Sequence, residues 1–279
     1  MKKTLTFLIY LLFPLLVSGQ DPFYFVQLTD PQFGMFEGNK EFVKETALME
    51  KAVGAINKLS PRFVVVTGDL VNDGNNTEQI KEFKRICSLI RKDIPVYLTP
   101  GNHDVGQQPT KESLKNYRDE YGYDSFSFQV NGTCFIGLNT QIIWTGLKDS
   151  EDSQFVWLNK VLENSQKCNH RIVFGHHPLF VNSIDEPDKY ENFPTAKRNT
   201  YIGLFEKYNV GNMFAGHLHH NASGQVGRFK MNVTSALGMQ IGKDKSGIRI
   251  VKVYPDHVES DYFQLDSIPD RIDLYRHSI

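Results

Sequence analysis

Short apolar segments that end in polar clusters are the feature that most restricts the fold of this chain. Segments at 23–28, 63–67, 96–98, 171–174 and 211–215 are rich in Val, Ile and Phe. Between them lie stretches with apolar residues at helical spacing, such as 40–59 and 77–90. This alternation predicts an α/β fold with sheets covered by helices. The Val-rich run at 63–67 is typical of a strand buried on both faces.

Further elements complete the prediction. The Asn131-Gly132 pair between strand-like runs at 125–130 and 133–138 indicates a hairpin. Helices are predicted at 110–121, 152–164 and 195–208, and the chain after about residue 223 resembles a series of strands. No linker or break in composition divides the chain, so we predict a single domain over residues 20–279.

The first segment has the order of a secretory signal peptide. Lys2 and Lys3 precede an apolar run from Leu5 to Val17, and small residues follow before Gln20. The alternative is a membrane anchor, but a spanning helix needs about 20 apolar residues. We therefore expect residues 1–19 to be removed, no membrane span in the mature chain, and a secreted or periplasmic protein.

The net charge and the cysteine count bear on possible partners and on disulfide bonds. With 31 Lys+Arg against 32 Asp+Glu, the near-neutral charge gives no electrostatic reason to expect a nucleic-acid partner. An odd cysteine count does not suggest a disulfide framework. We expect Cys87 and Cys134 to be small buried residues and Cys168 to be a loop thiol.

Polar clusters follow five of the predicted strands. Six of the nine histidines lie in them, together with two Asp, an Asn and a Gln. Ligand sites of α/β sheets lie outside the carboxyl ends of the strands, so these clusters should meet at one edge. The candidate residues are Asp30, Gln32, Asp69, Asn102, His103, His176, His177, His217, His219 and His220.

Such a mixture of oxygen and imidazole groups points to metal ions. Packed Asp and His side chains stay repelled or unsatisfied unless a cation holds them. The donor types suit Mn, Fe, Zn or Mg, and no cysteine lies in the clusters. The donors outnumber the needs of one ion, so we predict two divalent ions, the arrangement used for displacement at phosphorus. A glycine precedes most clusters and lets the backbone approach closely.

These motifs resemble the calcineurin-like metallophosphoesterase superfamily over nearly the whole mature chain. The matching motifs are Asp30-Pro31-Gln32, Gly68-Asp69, Gly101-Asn102-His103-Asp104, Gly175-His176 and Gly216-His217-Leu218-His219. The usual pattern begins Asp-x-His, and this chain has Gln32 at the His position. That difference, together with the segment 181–186, resembles a serine/threonine phosphatase branch and its bacterial relatives. The resemblance implies a four-layer α-β-β-α sandwich, two mixed sheets flanked by helices, with a dinuclear metal centre at the rim.

The resemblance also implies a role for each residue. It assigns the first ion to Asp30, Gln32, Asp69 and His219, and the second to Asp69, Asn102, His176 and His217, with Asp69 bridging. The ions would bind the phosphate and activate a water as nucleophile.

His103 resembles the general acid that protonates the leaving oxygen. Asp73 is a candidate to orient it, and Asn72 is the equally near alternative. No Arg stands beside His103, so phosphate binding would rest on the metals, Asn102 and His103. His177 and His220 are expected either to line the substrate groove or to be polar turn residues.

Three functional classes remain open. The first is a phosphomonoesterase acting on small phosphate esters or phosphoproteins. The second is a phosphodiesterase for cyclic nucleotides, nucleotides or phospholipid head groups. The third is a non-catalytic scaffold, which is disfavoured because only one ligand position departs from the pattern. The acidic, aromatic segment 183–194 is expected to be a solvated loop, with a substrate-facing lid as the alternative.

Overall fold

The structure is a computed structural model that describes residues 21–275. The predicted signal peptide, residues 1–19, lies outside the described residues. Within the described part of the chain, none of the helices has the length and apolar character needed to cross a membrane.

Eleven strands and seven helices form the described chain. The strands are β1 (Phe23–Leu28), β2 (Val64–Thr67), β3 (Val96–Thr99), β4 (Phe126–Val130), β5 (Thr133–Gly137), β6 (His170–Phe174), β7 (Asn212–Ala215), β8 (Ala222–Val226), β9 (Phe229–Val233), β10 (Gly247–Val253) and β11 (Val258–Gln264). The helices are α1 (Val43–Leu59), α2 (Thr77–Cys87), α3 (Asn102–Val105), α4 (Lys111–Tyr121), α5 (Thr140–Thr145), α6 (Lys148–Asn164) and α7 (Thr195–Lys207).

The strands form two mixed sheets. One has the order β11-β10-β1-β2-β3, and the other β4-β5-β6-β7-β9-β8. Parallel pairs lie at the middle of each sheet, β1 with β2 and β6 with β7. Antiparallel hairpins close three of the four edges, and at the fourth β3 pairs in parallel with β2. The predicted architecture of two mixed sheets flanked by helices is confirmed.

Aromatic rings fill the space between the two sheets. Phe25 of β1 stacks on Phe63 at 4.7 Å and meets Phe135 and Phe174 of the other sheet edge-on, each at 5.5 Å. The alternate residues of the same strands, such as Val26 and Val173, belong to a second core with the apolar sides of the helices. Because successive side chains of a strand point to opposite faces, each sheet is buried on both sides.

Two short helices, α3 and α5, are absent from the sequence prediction. Each is shorter than two turns, so neither can show an apolar stripe. Asn139 caps α5 by accepting from the backbone of Gln141 and Ile142. Helix α3 matters for function because it begins at Asn102, directly after β3.

Cys134 is buried as predicted, but the expectation that Cys134 and Cys168 are separate thiols is wrong. Cys134 in β5 and Cys168, two residues before β6, form a disulfide. The two strands are parallel neighbours with Thr133 opposite His170, and the two Cα atoms are 5.8 Å apart. Sequence spacing could not show this, because the pairing of β5 with β6 brings together residues 34 positions apart. Cys87 is the free cysteine of the described residues.

Replacing both Cys134 and Cys168 with serine should lower the free energy of unfolding by about 2–4 kcal/mol. The bond closes a loop of moderate length, and losing it restores conformational freedom to the unfolded chain. Urea unfolding of the oxidised wild type and the double variant measures the difference, with Cys87→Ser as control. Three titratable thiols in denatured, unreduced wild type would contradict the pairing.

Candidate metal centre

The predicted clusters lie together at one rim of the sandwich. Asp30 follows β1, Asp69 follows β2 and Asn102 follows β3 in the five-stranded sheet. His176 follows β6, and His217 and His219 follow β7 in the six-stranded sheet. Both sheets therefore contribute, and the site spans the gap between their carboxyl ends.

The backbone is held in an unfavourable conformation at many of these positions. A positive φ is uncommon outside glycine and persists only where surrounding contacts fix it. Backbone hydrogen bonds between the loops do so here, from Asp30 N to Gly68 O at 3.1 Å and from Gln32 N to Asp69 O at 2.9 Å. The residues concerned are Asp30 (φ 49°), Gln32 (41°), Asp69 (48°), His217 (74°) and His219 (55°).

Two glycines allow the loops to approach one another. A Cβ at Gly216 would lie 1.8 Å from Thr29 Oγ1 and 2.4 Å from Asp30 Oδ2. One at Gly101 would lie 2.2 Å from Asp69 Oδ1. Any side chain at either position would push a buried carboxylate out of place, which explains why glycine stands beside these clusters.

The first group of donors contains Asp30, Asp69 and His219, and all three are buried. Nε2 of His219 lies 3.4 Å from Asp30 Oδ1. Among the described residues, Asp30 and Asp69 form ion pairs only with histidines, not with Lys or Arg. The negative charges of these two buried carboxylates are not balanced by Lys or Arg, so they need a cation.

The second group of donors contains His176, His177 and His217, and all three are buried. Nε2 of His176 lies 3.2 Å from Asp69 Oδ2 and 3.0 Å from Asn102 Oδ1. Both neighbours accept hydrogen bonds, so the arrangement is stable only with a proton or a cation at Nε2. Asp69 thus lies at the junction of the two groups, as a bridging ligand would.

Backbone carbonyls fix the orientation of three histidines. Nδ1 of His176 lies 2.9 Å from Thr67 O, and Nδ1 of His219 is bonded to Met239 O. Nε2 of His217 lies 3.3 Å from Tyr190 O. Because a carbonyl only accepts, each of these nitrogens donates, and the other nitrogen of each ring keeps a lone pair in the neutral form. Such outer contacts set the tautomer of metal-binding histidines.

Gln32 gives the clearest sign that the residues fit a metal ion. Its Nε2 donates to Asn72 Oδ1 at 3.1 Å, whereas its buried Oε1 has no hydrogen-bond partner. A buried amide oxygen left unpaired is costly unless something binds it. The donor set therefore matches divalent ions, with Gln32 offering an oxygen in the place of the usual imidazole.

The charges at the centre favour metal binding. Burial lowers the pKa of His176, but Asp69 and Asp30 outweigh burial and raise that pKa to about 9. Burial raises the pKa of the Asp69 carboxyl, but the interactions with His176 outweigh burial. The net pKa is below the usual value for Asp, so the carboxylate stays ionised. By contrast, burial and the neighbouring His176 lower the pKa of His217 to about 4, so its ring is neutral. A proton on His176 therefore stands where a cation would.

Metal loading at pH 7 should release at least one proton per chain. Since the pKa of His176 is about 9, the metal-free protein carries a proton that a metal must displace, and apparent affinity should rise as pH rises toward 9. Calorimetric titration in Tris and in PIPES measures this, because released protons add the heat of buffer protonation. Equal heats in the two buffers would contradict it.

His103 faces an open cleft beside the metal centre. Its backbone N–H donates to Asp69 Oδ1 at 2.8 Å, and its Nδ1 lies 2.8 Å from the backbone oxygen of Asn72. The prediction that Asp73 orients His103 is not supported, because the Asp73 carboxylate instead accepts from Asn75 N at 3.0 Å. The turn after Val71 brings the Asn72 carbonyl, and not the next side chain, toward the ring.

The cleft beside His103 has a volume of about 340 Å³. Its walls carry mostly amides and hydroxyls, together with the carboxylates of Asp73 and Asp104. No Lys or Arg lines it among the described residues. The cleft is therefore suited to a polar group without negative charge next to the proposed general acid.

His177 lies neither in the groove nor in solvent, so both expectations for it are wrong. Its side chain is fully buried, and neither ring nitrogen has a hydrogen-bond partner. The ring stacks on Trp144 at 5.4 Å and lies 3.9 Å from the ring of His217. His220 is half-buried, and its Nδ1 bonds to Leu218 O at 2.9 Å, which is a turn role.

Most residues of the loop 183–194 are exposed, as expected of a solvated loop, but polar contacts also hold it against the metal centre. Arg198 is buried and donates to the backbone oxygens of Ile184, Glu186 and Phe193. From this loop Tyr190 reaches the metal centre, where Asn102 Nδ2 donates to its hydroxyl at 3.3 Å. The sequence analysis offered this segment as a possible substrate-facing lid, but it did not assign a role to Tyr190, because only packing brings that side chain to Asn102.

Comparison with known proteins identifies related sequences and folds. A family model described as calcineurin-like phosphoesterase matches residues 23–221. Serine/threonine-protein phosphatase CPPED1 of Rattus norvegicus is 39% identical over 272 residues, covering 90% of this chain and 86% of that protein. A probable glycerophosphodiester phosphodiesterase GpdQ of Arcobacter nitrofigilis is 30% identical over 168 residues, 59% of each chain. The crystal structure of a dimetal phosphatase from Danio rerio has a similar fold, with a TM-score of 0.60 at 13% identity, covering 86% of this chain and 99% of that one.

Proposed function

Because the chain belongs to the calcineurin-like phosphoesterase family, we propose that this metal-dependent phosphoester hydrolase acts on phosphate monoesters, with phosphorylated serine or threonine as its substrate class. The observation that carries the proposal is the pair of buried carboxylates, Asp30 and Asp69, whose donor atoms lie close together and beside His219. The buried, unpaired oxygen of Gln32 adds a further acceptor on the same loop as Asp30. Buried charges of this kind need a cation. The name of the rat relative supports the choice of substrate.

The proposed ligand sets follow the sequence prediction. Asp30, Gln32, Asp69 and His219 would hold one ion, and Asp69, Asn102, His176 and His217 the other. The short distances from His219 to Asp30 and from His176 to Asp69 support this division, as does the grouping of Asp30, Asp69 and His219. When bound, two divalent ions supply Lewis-acid activation of the ester and of a water.

The chain's own residues orient the substrate and move the proton. Asn102 and His103, adjacent at the start of α3, would approach the phosphate from the cleft side. With Nδ1 of His103 donating to Asn72 O, its Nε2 is the nitrogen free to carry the proton for the leaving oxygen. The departing alcohol would then occupy the polar cleft beside His103. His177 is buried and makes no direct contact with substrate in this arrangement.

A panel of esters tests the function. Purified protein loaded with Mn²⁺ should hydrolyse phosphoserine peptides and alkyl monoesters faster than matched diesters, and chelator treatment should abolish both activities. Faster hydrolysis of glycerophosphodiesters would favour the second candidate, a phosphodiesterase. The similarity to the GpdQ relative supports that alternative. Absence of hydrolysis for every ester by the loaded, folded protein would refute both.

We also propose that the protein is exported to the periplasm or secreted. The signal-like order of residues 1–19 and the Cys134–Cys168 disulfide support this, because such bonds persist in oxidising compartments. Mass spectrometry of the native protein should find a mature chain that begins at Gln20. A native chain that retains residues 1–19 would contradict it.

Gln32→His should shift the metal preference of the first site. An amide oxygen favours harder ions such as Mn²⁺ or Mg²⁺, whereas an imidazole nitrogen favours Zn²⁺ or Fe. Apo protein equilibrated with equal concentrations of Mn²⁺ and Zn²⁺ should therefore retain more Zn²⁺ in the variant than in the wild type, as measured by elemental analysis. An unchanged ratio would mean that Gln32 is not a ligand.

A further inference from the structure

Tyr190 touches two side chains that are assigned to the same metal ion. Its backbone oxygen lies 3.3 Å from Nε2 of His217, and its hydroxyl lies 3.3 Å from Nδ2 of Asn102. We propose that Tyr190 is a positioning residue for the second metal ion, and that the loop 183–194 thereby sets the affinity of that ion alone. The inference rests on the proposed ligand sets.

The contact with His217 determines which of its nitrogens is available. The Tyr190 carbonyl accepts from Nε2, so in the neutral ring Nδ1 keeps the lone pair for a metal. The tyrosine ring packs against the same imidazole with 4.8 Å between centroids. The corresponding carbonyls for His176 and His219, those of Thr67 and Met239, lie outside the loop 183–194.

The contact with Asn102 determines which end of its amide faces the centre. Nδ2 donates to the Tyr190 hydroxyl, so Oδ1 is directed toward Nε2 of His176, 3.0 Å away. A flipped amide would present an NH₂ group, which has no lone pair for a cation. Gln107 donates to the same hydroxyl at 3.1 Å and helps to hold it in place.

The loop itself is held in place by polar contacts of its own. The Glu186 carboxylate accepts from the backbone of Val181, Asn182 and Ser183 and from Asn192 Nδ2. Trp144 Nε1 donates to Asn192 O at 2.9 Å. The position of Tyr190 therefore depends on contacts that lie outside the metal centre, which allows the loop to be loosened without changing a ligand.

The first ion should be insensitive to the loop. His219 is oriented by Met239, and Gln32 is oriented by Asn72. None of the hydrogen bonds of the described loop residues reaches Asp30, Gln32 or His219. A general loss of stability would weaken both ions, whereas loss of positioning would weaken one.

Tyr190→Phe is the primary test. It removes the hydroxyl that holds Asn102 and leaves the backbone carbonyl in place. We expect the affinity of the second Mn²⁺ to fall about tenfold, since removing outer-sphere partners typically costs 10–100-fold, while the first Mn²⁺ is unaffected. Equilibrium dialysis at buffered Mn²⁺ concentrations with elemental analysis gives the two affinities, and the Mn²⁺ EPR spectrum distinguishes a coupled pair from a single ion.

Glu186→Ala provides a second, independent variant. It loosens the loop from outside the site and should also weaken only the second ion. In this variant the ¹⁵N shifts of His217 in metal-free protein should show loss of the single Nε2–H tautomer. Tyr208→Phe is the matched control, because it deletes a hydroxyl bond of the same 3.3 Å length, to Glu163. Both affinities should stay at wild-type values in the control.

The outcomes separate this inference from the proposed function. If the wild type binds two ions and hydrolyses esters, but both variants bind the second ion as tightly as the wild type, Tyr190 has no positioning role. Equal weakening of both ions would also overturn the inference, because it indicates general destabilisation. A wild type that binds no second ion would overturn the dinuclear assignment together with the inference.

Discussion

Asp69→Ala is expected to abolish hydrolysis and to remove most of the bound metal from a protein that remains folded. Asp69 lies at the junction of the two donor groups, 3.2 Å from His176 and within the same group as Asp30 and His219. Without it, neither proposed ion has a complete set of ligands. The activity should fall by about a thousandfold or more, beyond the 10²–10³-fold typical for loss of one electrostatic group.

The experiment needs controls for folding and for charge. Asp69→Asn is a second variant in case Asp69→Ala does not fold. It keeps the size of the side chain and an oxygen that can accept a hydrogen bond from His103 N. Asp73→Ala removes a nearby carboxylate that accepts from Asn75 N within its own turn. It should retain metal and activity within a few-fold. Elemental analysis and circular dichroism accompany the kinetics, and full metal occupancy in folded Asp69→Ala would refute the bridging role.

His103→Ala is expected to slow hydrolysis of alkyl phosphates far more than that of nitrophenyl phosphate, with both metals retained. General acid catalysis contributes about 10²–10⁴-fold, and it matters most when the leaving oxygen is strongly basic. A seryl or alkyl oxygen needs the proton, whereas a nitrophenolate departs with little help. The kcat ratio of the two ester types, wild type against variant, measures the contribution.

The structure shows why this variant is informative. The bond to Asp69 comes from the backbone N–H of His103, so it survives replacement by alanine. The substitution removes the imidazole ring, which bonds to Asn72 O on one side and lines the cleft on the other. Equal losses on both esters with intact metals would mean that His103 positions phosphate. Lost metal would mean that it is a ligand.

Much of the architecture follows from local sequence patterns. The strand Phe23–Leu28 and the hairpin around Asn131-Gly132 have the predicted bounds to within a residue. Their apolar runs and turn residues act over a few positions, and such short-range preferences are visible without any partner. The motifs after the strands indicated the metal centre for the same reason, because the end of a strand is a local feature and strand ends of one sheet share an edge.

Contacts between segments distant in sequence were decided only by the tertiary structure. Cys134 and Cys168 pair because β5 lies beside β6, and no spacing rule gives that neighbour relation. His177 is buried because Trp144 and His217 stack on it, although its position beside a motif suggested a groove. Tyr190 reaches Asn102, 88 positions earlier, through a loop that Arg198 and Glu186 hold in place. The sequence by itself thus determined which donors gather at the rim, because strand ends place them. Packing between layers determined how each donor is oriented. Hydrogen bonds from segments distant in sequence set the tautomer of each histidine and the amide end that Asn102 directs toward the metal centre.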